Sequence, residues 1–259
     1  MGTEAKRVGC ADCLEGAGLD FEITMAFQPI VRVSTRSVYA YEALVRGRNR
    51  ESAGHELSQV NEQNRYRFDQ ACRVKAIELA SRLGLPSREG QLLHINFLPG
   101  AVYRPETCIR ATLEAAERFG LPIERIVFEV TEGEPIQEEA HLKSIFAEYQ
   151  RRGFRTAIDD FGAGYAGLNL LANFQPNISK LDMALTRNID QDRIRRSIAS
   201  SVIAVCRDLD IAVVAEGIET VGELDTIVAL GVDLVQGYLL AKPAFEAMEE
   251  PVWPERYAA

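Results

Sequence analysis

Several protein classes are excluded by what this chain lacks. None of its 259 residues fall in an apolar run approaching the roughly 18 needed to cross a bilayer, and Met1 to Asp20 has no apolar leader core. A basic surplus is missing as well: 29 Lys and Arg face 38 Asp and Glu, for a net charge of −9, which argues against a DNA or RNA duplex as partner. No Pro- or Ser-rich linker divides the chain, and no repeat of 20 to 50 residues is evident. The five cysteines are an odd set, and Cys72, Cys108 and Cys206 lie in helix-like stretches, so they read as core thiols and not as a disulfide framework. A cytoplasmic, membrane-free protein follows, with residues 1–20 as a polar lead-in, 21–250 as one domain and 251–259 as a tail.

What is present is a regular alternation. Short apolar runs read as buried strands at Met25 to Val33, Ser37 to Leu44, Leu92 to Phe97, Ile126 to Val130, Phe154 to Ile158, Ile178 to Leu181, Ile211 to Ala215 and Val232 to Val235. Helical spacing fills the intervals. Phe68, Cys72, Ala76, Leu79, Ala80 and Leu83 run to Gly84; Ile109, Leu113 and Ala116 run to Gly120; Leu142, Ile145, Phe146 and Tyr149 precede Gly153. Ile194, Ile198, Val202, Val205 and Leu209 form a longer stripe, and Thr220 with Glu223 is a capping-box pair opening a helix that stops at Gly231.

Eight strands suit a TIM-like (β/α)8 barrel. Only Ser34, Thr35 and Arg36 separate the first two, too few for a parallel crossover, so strand one is predicted to run antiparallel. Its early residues, near Gln28, then lie at the end of the barrel where the other strands finish.

Six of the eight runs carry a polar residue at or near their C-terminal end: Glu42, Asn96, Glu129, Asp159 with Asp160, Glu216 and Gln236. Taken singly, each acid is well explained as an N-cap of the following helix. Together they would converge on one mouth, where five carboxylates cannot all stay ionised without compensation. Two divalent cations are the simplest remedy, and oxygen ligands without a Cys or His cluster favour Mg²⁺ or Mn²⁺ over zinc. Adjacent Asp159 and Asp160 would point to opposite faces of a strand, so both reach metal only where the strand breaks, and Phe161-Gly162-Ala163-Gly164 is the expected break. One acid bridging two ions roughly 3.5 to 4 Å apart is an arrangement that activates water for in-line attack on a phosphodiester.

Phe27-Gln28-Pro29-Ile30, Glu42-Ala43-Leu44-Val45-Arg46, Ile95-Asn96, Glu129-Val130-Thr131-Glu132, Asp159 to Tyr165, Lys180-Leu181-Asp182, Ala215 to Glu219 and Gln236-Gly237-Tyr238 occur in order. From about Phe21 to Pro243 the chain resembles the EAL-domain cyclic di-GMP phosphodiesterases. The resemblance implies a barrel with one reversed strand, and hydrolysis of one phosphodiester of cyclic di-GMP to linear pGpG with two Mg²⁺ or Mn²⁺ ions; Ca²⁺ is expected to inhibit, because it prefers more ligands and longer bonds than Mg²⁺. The resemblance places Glu42, Asn96, Glu129 and Asp159 on one metal and Asp159, Asp160 and Glu216 on the second. Lys180 is the residue that orients or deprotonates water, a role served by a lowered lysine pKa. Gln28, Arg46, Asp182 and Gln236 match substrate-contacting positions; Glu132 braces the loop from Asp160 to Leu168, and Glu219, with Gln236, supports the metal shell.

A homodimer is implied in the same way. Gly47 departs from the family's usual tryptophan. Regulatory input is expected from a partner protein, from oligomerisation or from Cys10 and Cys13, a Cys-x-x-Cys with no second pair. His94 should share the inward face of its strand with Asn96 as a hydrogen-bonded core histidine, and His55 and His141 should be solvated. The competing class is a catalytically silent cyclic di-GMP-binding regulatory module.

Overall fold

A computed structural model describes residues 19–132, 139–164 and 167–257; Cys10 and Cys13 lie outside them. The order of strands around the sheet is β2 (Ser37–Gly47), β3 (Leu92–Asn96), β4 (Ile126–Thr131), β5 (Arg155–Phe161), β6 (Ile178–Leu181), β7 (Ala212–Ala215), β8 (Leu234–Val235) and β1 (Ile23–Arg32), and β1 pairs back onto β2. The eight strands close a TIM-like barrel. β1 is antiparallel to both neighbours, with Gln28 opposite Glu42 and Val31 opposite Val235; the remaining pairs are parallel.

A ninth strand, β9 (Ala244–Phe245), lies outside the sequence expectation. β8 reaches only Val31 and Arg32 of β1, and β9 supplies partners for Ala26 and Phe27 further along. Two residues are too short a run for a period to be visible in sequence. The expected helices are present at Arg65–Arg82, Arg110–Phe119, Glu139–Arg151, Arg193–Asp208 and Val221–Ala229, the last with the Thr220/Glu223 capping box formed. The long stripe faces the other way, however. Arg193–Asp208 buries Ala199, Ile203 and Cys206, while Ile194 is 68% and Ile198 46% exposed, with Val205 and Leu209 also outward. Cys72, Cys108 and Cys206 are buried free thiols.

Inside the barrel the two-residue period of a strand produces two rings. Ile30, Ala40, Leu92, Val127, Ala157, Ile178, Val214 and Leu234, one from each strand, form a buried apolar floor. One inward step toward the mouth, every strand turns polar: Gln28, Glu42, His94, Glu129, Asp159, Lys180, Glu216 and Gln236. All of these are buried except Glu216, which is half-buried.

Outside the barrel, a buried ion pair fixes the strand end that carries Asn96. Arg73, fully buried on the Arg65–Arg82 helix, pairs with Asp69 at 2.8 Å and donates to Tyr149 Oη at 2.8 Å. Its guanidinium lies 4.9 Å from the Phe128 ring centroid and 5.3 Å from that of Phe97, which supplies aromatic faces to N–H groups left without oxygen partners. Asp69 Oδ1 accepts from Leu98 N at 2.9 Å, two residues past Asn96. Removing one partner of such a pair strands a buried charge. Arg73→Met is therefore expected to lower the unfolding free energy by about 3 to 5 kcal/mol, read from urea titration; a loss well under this would show that the ion pair does not anchor the helix.

Candidate active site

The polar ring is organised around one cation. Lys180, fully buried on β6, places Nζ 2.8 Å from Glu216, 3.0 Å from Asp159, 3.1 Å from Glu42 and 3.3 Å from Glu129. Burial alone would push the lysine pKa down, but Asp159, Glu129, Glu216 and Glu42 outweigh it and hold the pKa well above its ordinary value. The lowered pKa that the resemblance implies is for a lysine beside bound metal ions, whereas the direction here is set by the four carboxylates.

The acids differ in turn. Burial tends to raise the Glu42 carboxyl, yet Lys180 and hydrogen bonds from Gln236 Nε2 (2.8 Å) and Asn96 Nδ2 (3.0 Å) bring it below the usual carboxylate range. Glu129 and Glu216 are driven up by burial more than Lys180 can offset. His94 Nδ1 meets Glu129 Oε1, and burial followed by the Lys180 charge pushes the imidazole down to about 3, so it is neutral at physiological pH. The inward, hydrogen-bonded histidine expected from the strand period is therefore present. His141 differs from expectation, being half-buried and bonded to Val102 O.

Ligand atoms of Glu42, Glu129 and Asp159 lie within 4.8 Å of one another, and so do those of Asp159, Asp160 and Glu216. The two triads share Asp159. Fully ionised, five carboxylates and one ammonium would carry four negative charges, the number two divalent cations would neutralise. The donors are all hard oxygens, and Gln236 Oε1 is a further buried oxygen without a partner. This donor set fits two ions of the Mg²⁺ or Mn²⁺ type better than zinc.

The break that turns Asp160 toward the mouth comes earlier than expected. β5 continues to Phe161, and its pairing with β6 shifts between Ile158 and Phe161, with Asp160 itself at φ +54°. This bulge, and not the glycine loop after it, re-aims the second aspartate. The loop is braced instead by Glu132, whose Oε2 accepts from Gly162 N at 2.7 Å and Gly164 N at 3.3 Å.

A cavity of ≈ 310 Å³ opens over the triads. Gln28, Glu42, Asp159, Asp160, Asp182, Glu216, Glu219 and Gln236 all line it. Three of the sequence candidates are already engaged. Gln28 Nε2 donates to Ala241 O at 3.0 Å, Asp182 Oδ1 caps the short Met183–Thr186 helix at Ala184 N (2.7 Å), and Glu219 forms a fork with Arg187. Arg46 is not among the lining residues; its Nη1 donates to Val45 O at 2.7 Å. Leu44, Met183, Gly217 and Tyr238 also line the cavity but were not singled out as site residues. Leu44, Gly217 and Tyr238 lie inside the ordered motifs, and Met183 directly follows Asp182, so their positions beside the strand-end polar residues were a signal for them. At Gly47 the chain turns back so that Gly47 N donates to Glu51 O at 3.1 Å, and an added Cβ would fall 2.2 Å from Glu51 Oε2.

Burial, Asp159 and Asp182 raise Asp160 to about 6 from a reference of 3.8. Between those values the folded chain holds the proton more tightly than the unfolded one. Above about 6 the carboxylate is ionised in both states and destabilises the metal-free fold; below 3.8 the penalty vanishes. Asp160→Asn, which tolerates positive φ, should raise the Tm of the metal-free protein at pH 7.5 by about 2 to 4 °C, as roughly 1 kcal/mol would after solvent screening of a half-exposed group. Differential scanning calorimetry should show the gain disappear near pH 4; an equal gain at both pH values would mean that charge is not its origin.

The family comparison agrees with this geometry. Residues 16–243 match the EAL domain family model. A standalone EAL protein from Vibrio cholerae O395, solved in its c-di-GMP-bound form, is 54% identical with a TM-score of 0.88, covering 93% of this chain and 100% of that one. Klebsiella pneumoniae BlrP1, solved as a manganese/cy-diGMP complex, is 34% identical with a TM-score of 0.84, covering 91% of this chain and 59% of that one. Among curated relatives, the blue light- and temperature-regulated antirepressor BluF of Escherichia coli K12 is 30% identical over 89% of this chain, and the cyclic di-GMP phosphodiesterase PdeR of the same organism is 30% identical over 59%. The chain spans 57% of BluF's length and 23% of PdeR's. With the family model covering most of its length and the reversed-strand barrel in place, the chain belongs to the EAL domain family.

Proposed function

We propose that this protein hydrolyses one phosphodiester bond of cyclic di-GMP to linear pGpG, using two Mg²⁺ or Mn²⁺ ions. The observation that carries the reading is the pair of triads sharing Asp159 around Lys180, with no ligand position or lysine lost. The neighbours solved with c-di-GMP and with manganese support it.

Glu42, Asn96, Glu129 and Asp159 would hold one ion, and Asp159, Asp160 and Glu216 the other. When bound, such a pair supplies a water made acidic enough to attack and a positive field for the charge that develops on the phosphoryl oxygens. Lys180 has its own part. With its four carboxylates neutralised, burial would be left unopposed, and Lys180, its pKa lowered, could take or steer the proton of the attacking water at Nζ. Gln28, Arg46, Asp182 and Gln236 are the proposed substrate contacts, Arg46 exchanging Val45 O for a phosphate that its planar fork suits. Glu132, Glu219 and Gln236 hold the surrounding loops.

We also propose a cytoplasmic homodimer, its input supplied by a partner protein or by the partner copy. No helix among the described residues is long and apolar enough to cross a membrane. We place the contact on the outward face of Arg193–Asp208. A two-fold axis between Ser201 and Val202, with two copies antiparallel, sets Ile194 opposite Leu209 and Ile198 opposite Val205. It also sets Arg193 opposite Asp210 and Arg195 opposite Asp208, while Arg196 is turned back onto Ile189 O and Asp190 O. Ile198→Glu should convert dimer to monomer in light scattering after gel filtration. A wild-type monomer at micromolar concentration would remove the proposal.

Incubation with cyclic di-GMP and Mg²⁺ or Mn²⁺, followed by chromatography, should yield pGpG, and Ca²⁺ should not sustain turnover. Glu42→Ala should abolish product, and Lys180→Met should lower kcat by about 10²- to 10⁴-fold with substrate binding retained. Tight binding without product would instead identify a silent regulatory module, a reading favoured by the resemblance to an antirepressor.

A further inference from the structure

Seven members of the polar ring belong to the motifs assigned above; the eighth is His94 on β3. Its side chain is fully buried, Nδ1 is hydrogen-bonded to Glu129 Oε1, and Nε2 has no partner. The other oxygen of the same carboxylate, Oε2, lies 3.3 Å from Lys180 Nζ and so faces the centre of the acid cluster. Glu129 therefore has one oxygen turned to the barrel wall and one turned to the triad.

We propose that His94 is a positioning residue that donates from Nδ1 to Glu129 Oε1 and leaves Oε2 alone to meet the ion held by Glu42, Glu129 and Asp159. This rests on the metal reading of the site and adds a basis for metal choice. Mg²⁺ requires six short bonds in near-ideal octahedral order, which a carboxylate held to one oxygen serves. Ca²⁺ takes six to eight longer bonds and accepts carboxylates through both oxygens. An imidazole occupying Oε1 withholds the second oxygen. Glu42 is held in a parallel way, Oε1 receiving Asn96 Nδ2 and Oε2 facing Lys180, so both glutamates of this triad present a single oxygen inward.

The strand geometry explains why the residue is a histidine. His94 lies opposite Glu42 in the β2–β3 register and opposite Val127 in the β3–β4 register, two residues before Glu129. A donor there must reach across to the next strand from above the apolar floor, and a ring nitrogen does so with few rotatable bonds. Outer hydrogen bonds of this kind orient ligands and are worth about 10- to 100-fold in metal affinity.

The test is calorimetric titration of the full chain with Mg²⁺, Mn²⁺ and Ca²⁺ in the wild type, His94→Leu and His94→Asn. His94→Leu should weaken Mg²⁺ and Mn²⁺ binding by about 10- to 100-fold while Ca²⁺ binding holds or strengthens. His94→Asn, whose side-chain amide falls near the position of Nδ1, should recover most of the loss. Independently of either variant folding, nitrogen NMR of the Mg²⁺-loaded wild type, labelled at its three histidines, should show one buried imidazole protonated at Nδ1 and not at Nε2. Unchanged affinities in His94→Leu, equal losses for all three ions without recovery in His94→Asn, or a proton on Nε2 would each overturn the assignment. A wild type that takes up none of the three ions would overturn the metal reading itself, which is a separate failure.

Discussion

One ammonium among four carboxylates sets the terms for the rest of the barrel mouth. A buried charge without a partner costs several kcal/mol, and a cluster of like charges costs more. Lys180, itself inaccessible to solvent, is the internal cation that makes the cluster tolerable in the metal-free fold. The apolar floor beneath it keeps the dielectric low, which strengthens these attractions and also raises the stakes of losing any one of them. If divalent ions bind as proposed, the carboxylates exchange the lysine for stronger cations. The same burial that was overruled then becomes the force lowering the lysine pKa. Fold stability and base strength are two readings of one contact.

Much of this was legible in the residues because a strand has a period of two. Apolar runs ending in Glu42, Asn96, Glu129, Asp159 and Glu216 placed the acids at one mouth, and the three-residue connection after β1 fixed its direction. What escaped were features set by tertiary pairing. β9 exists because β8 is too short to cover β1, a fact about two distant segments. Asp160 is re-aimed by a register shift against β6, so the glycines after it were a misleading cue. The Ile194 to Leu209 stripe has helical spacing, but spacing alone does not say which face meets the barrel, and here the smaller Ala199 and Cys206 pack inward with Ile203. Asp182 carries both a motif and an N-cap, and only coordinates show which oxygen is spent on the cap.

The two triads are not built alike. Glu42 and Glu129 are buried side chains on regular strands, and Asp159, also buried, stands at the edge of the β5 irregularity; each has hydrogen-bonding or ionic partners that settle its rotamer. Asp160 and Glu216 are half-buried and stand where β5 bulges and β7 gives way to a loop. A site preorganised on strands binds with little reorganisation, while one on a bulge must be completed by its surroundings. The triad of Glu42, Glu129 and Asp159 is thus the stiffer one, and that of Asp159, Asp160 and Glu216 the more adjustable. Asp160 is raised to about 6, and Glu129 and Glu216 are raised as well, so in both triads a proton would compete with a cation for a carboxylate.

The supports around the mouth follow the same division. On the stiff side, Asp69, Arg73 and the aromatic rings pin the chain just past Asn96. On the adjustable side, one carboxylate, Glu132, receives two loop amides, and Leu185 fills the space a side chain at Gly162 would need. From Leu185 the chain runs to Arg187, which forks onto Glu219, and Arg187 O accepts from Arg195 Nη1 at 2.6 Å on the exposed helix. A second copy seated on that helix, with Asp208 drawing on Arg195, would pull on the contact that steadies Glu219, three residues beyond Glu216. Contiguity becomes coupling only where an element has two arrangements. Under the dimer and metal reading proposed above, this chain of contacts ends beside Glu216, so an oligomeric contact would reach the Asp159, Asp160 and Glu216 triad before the other.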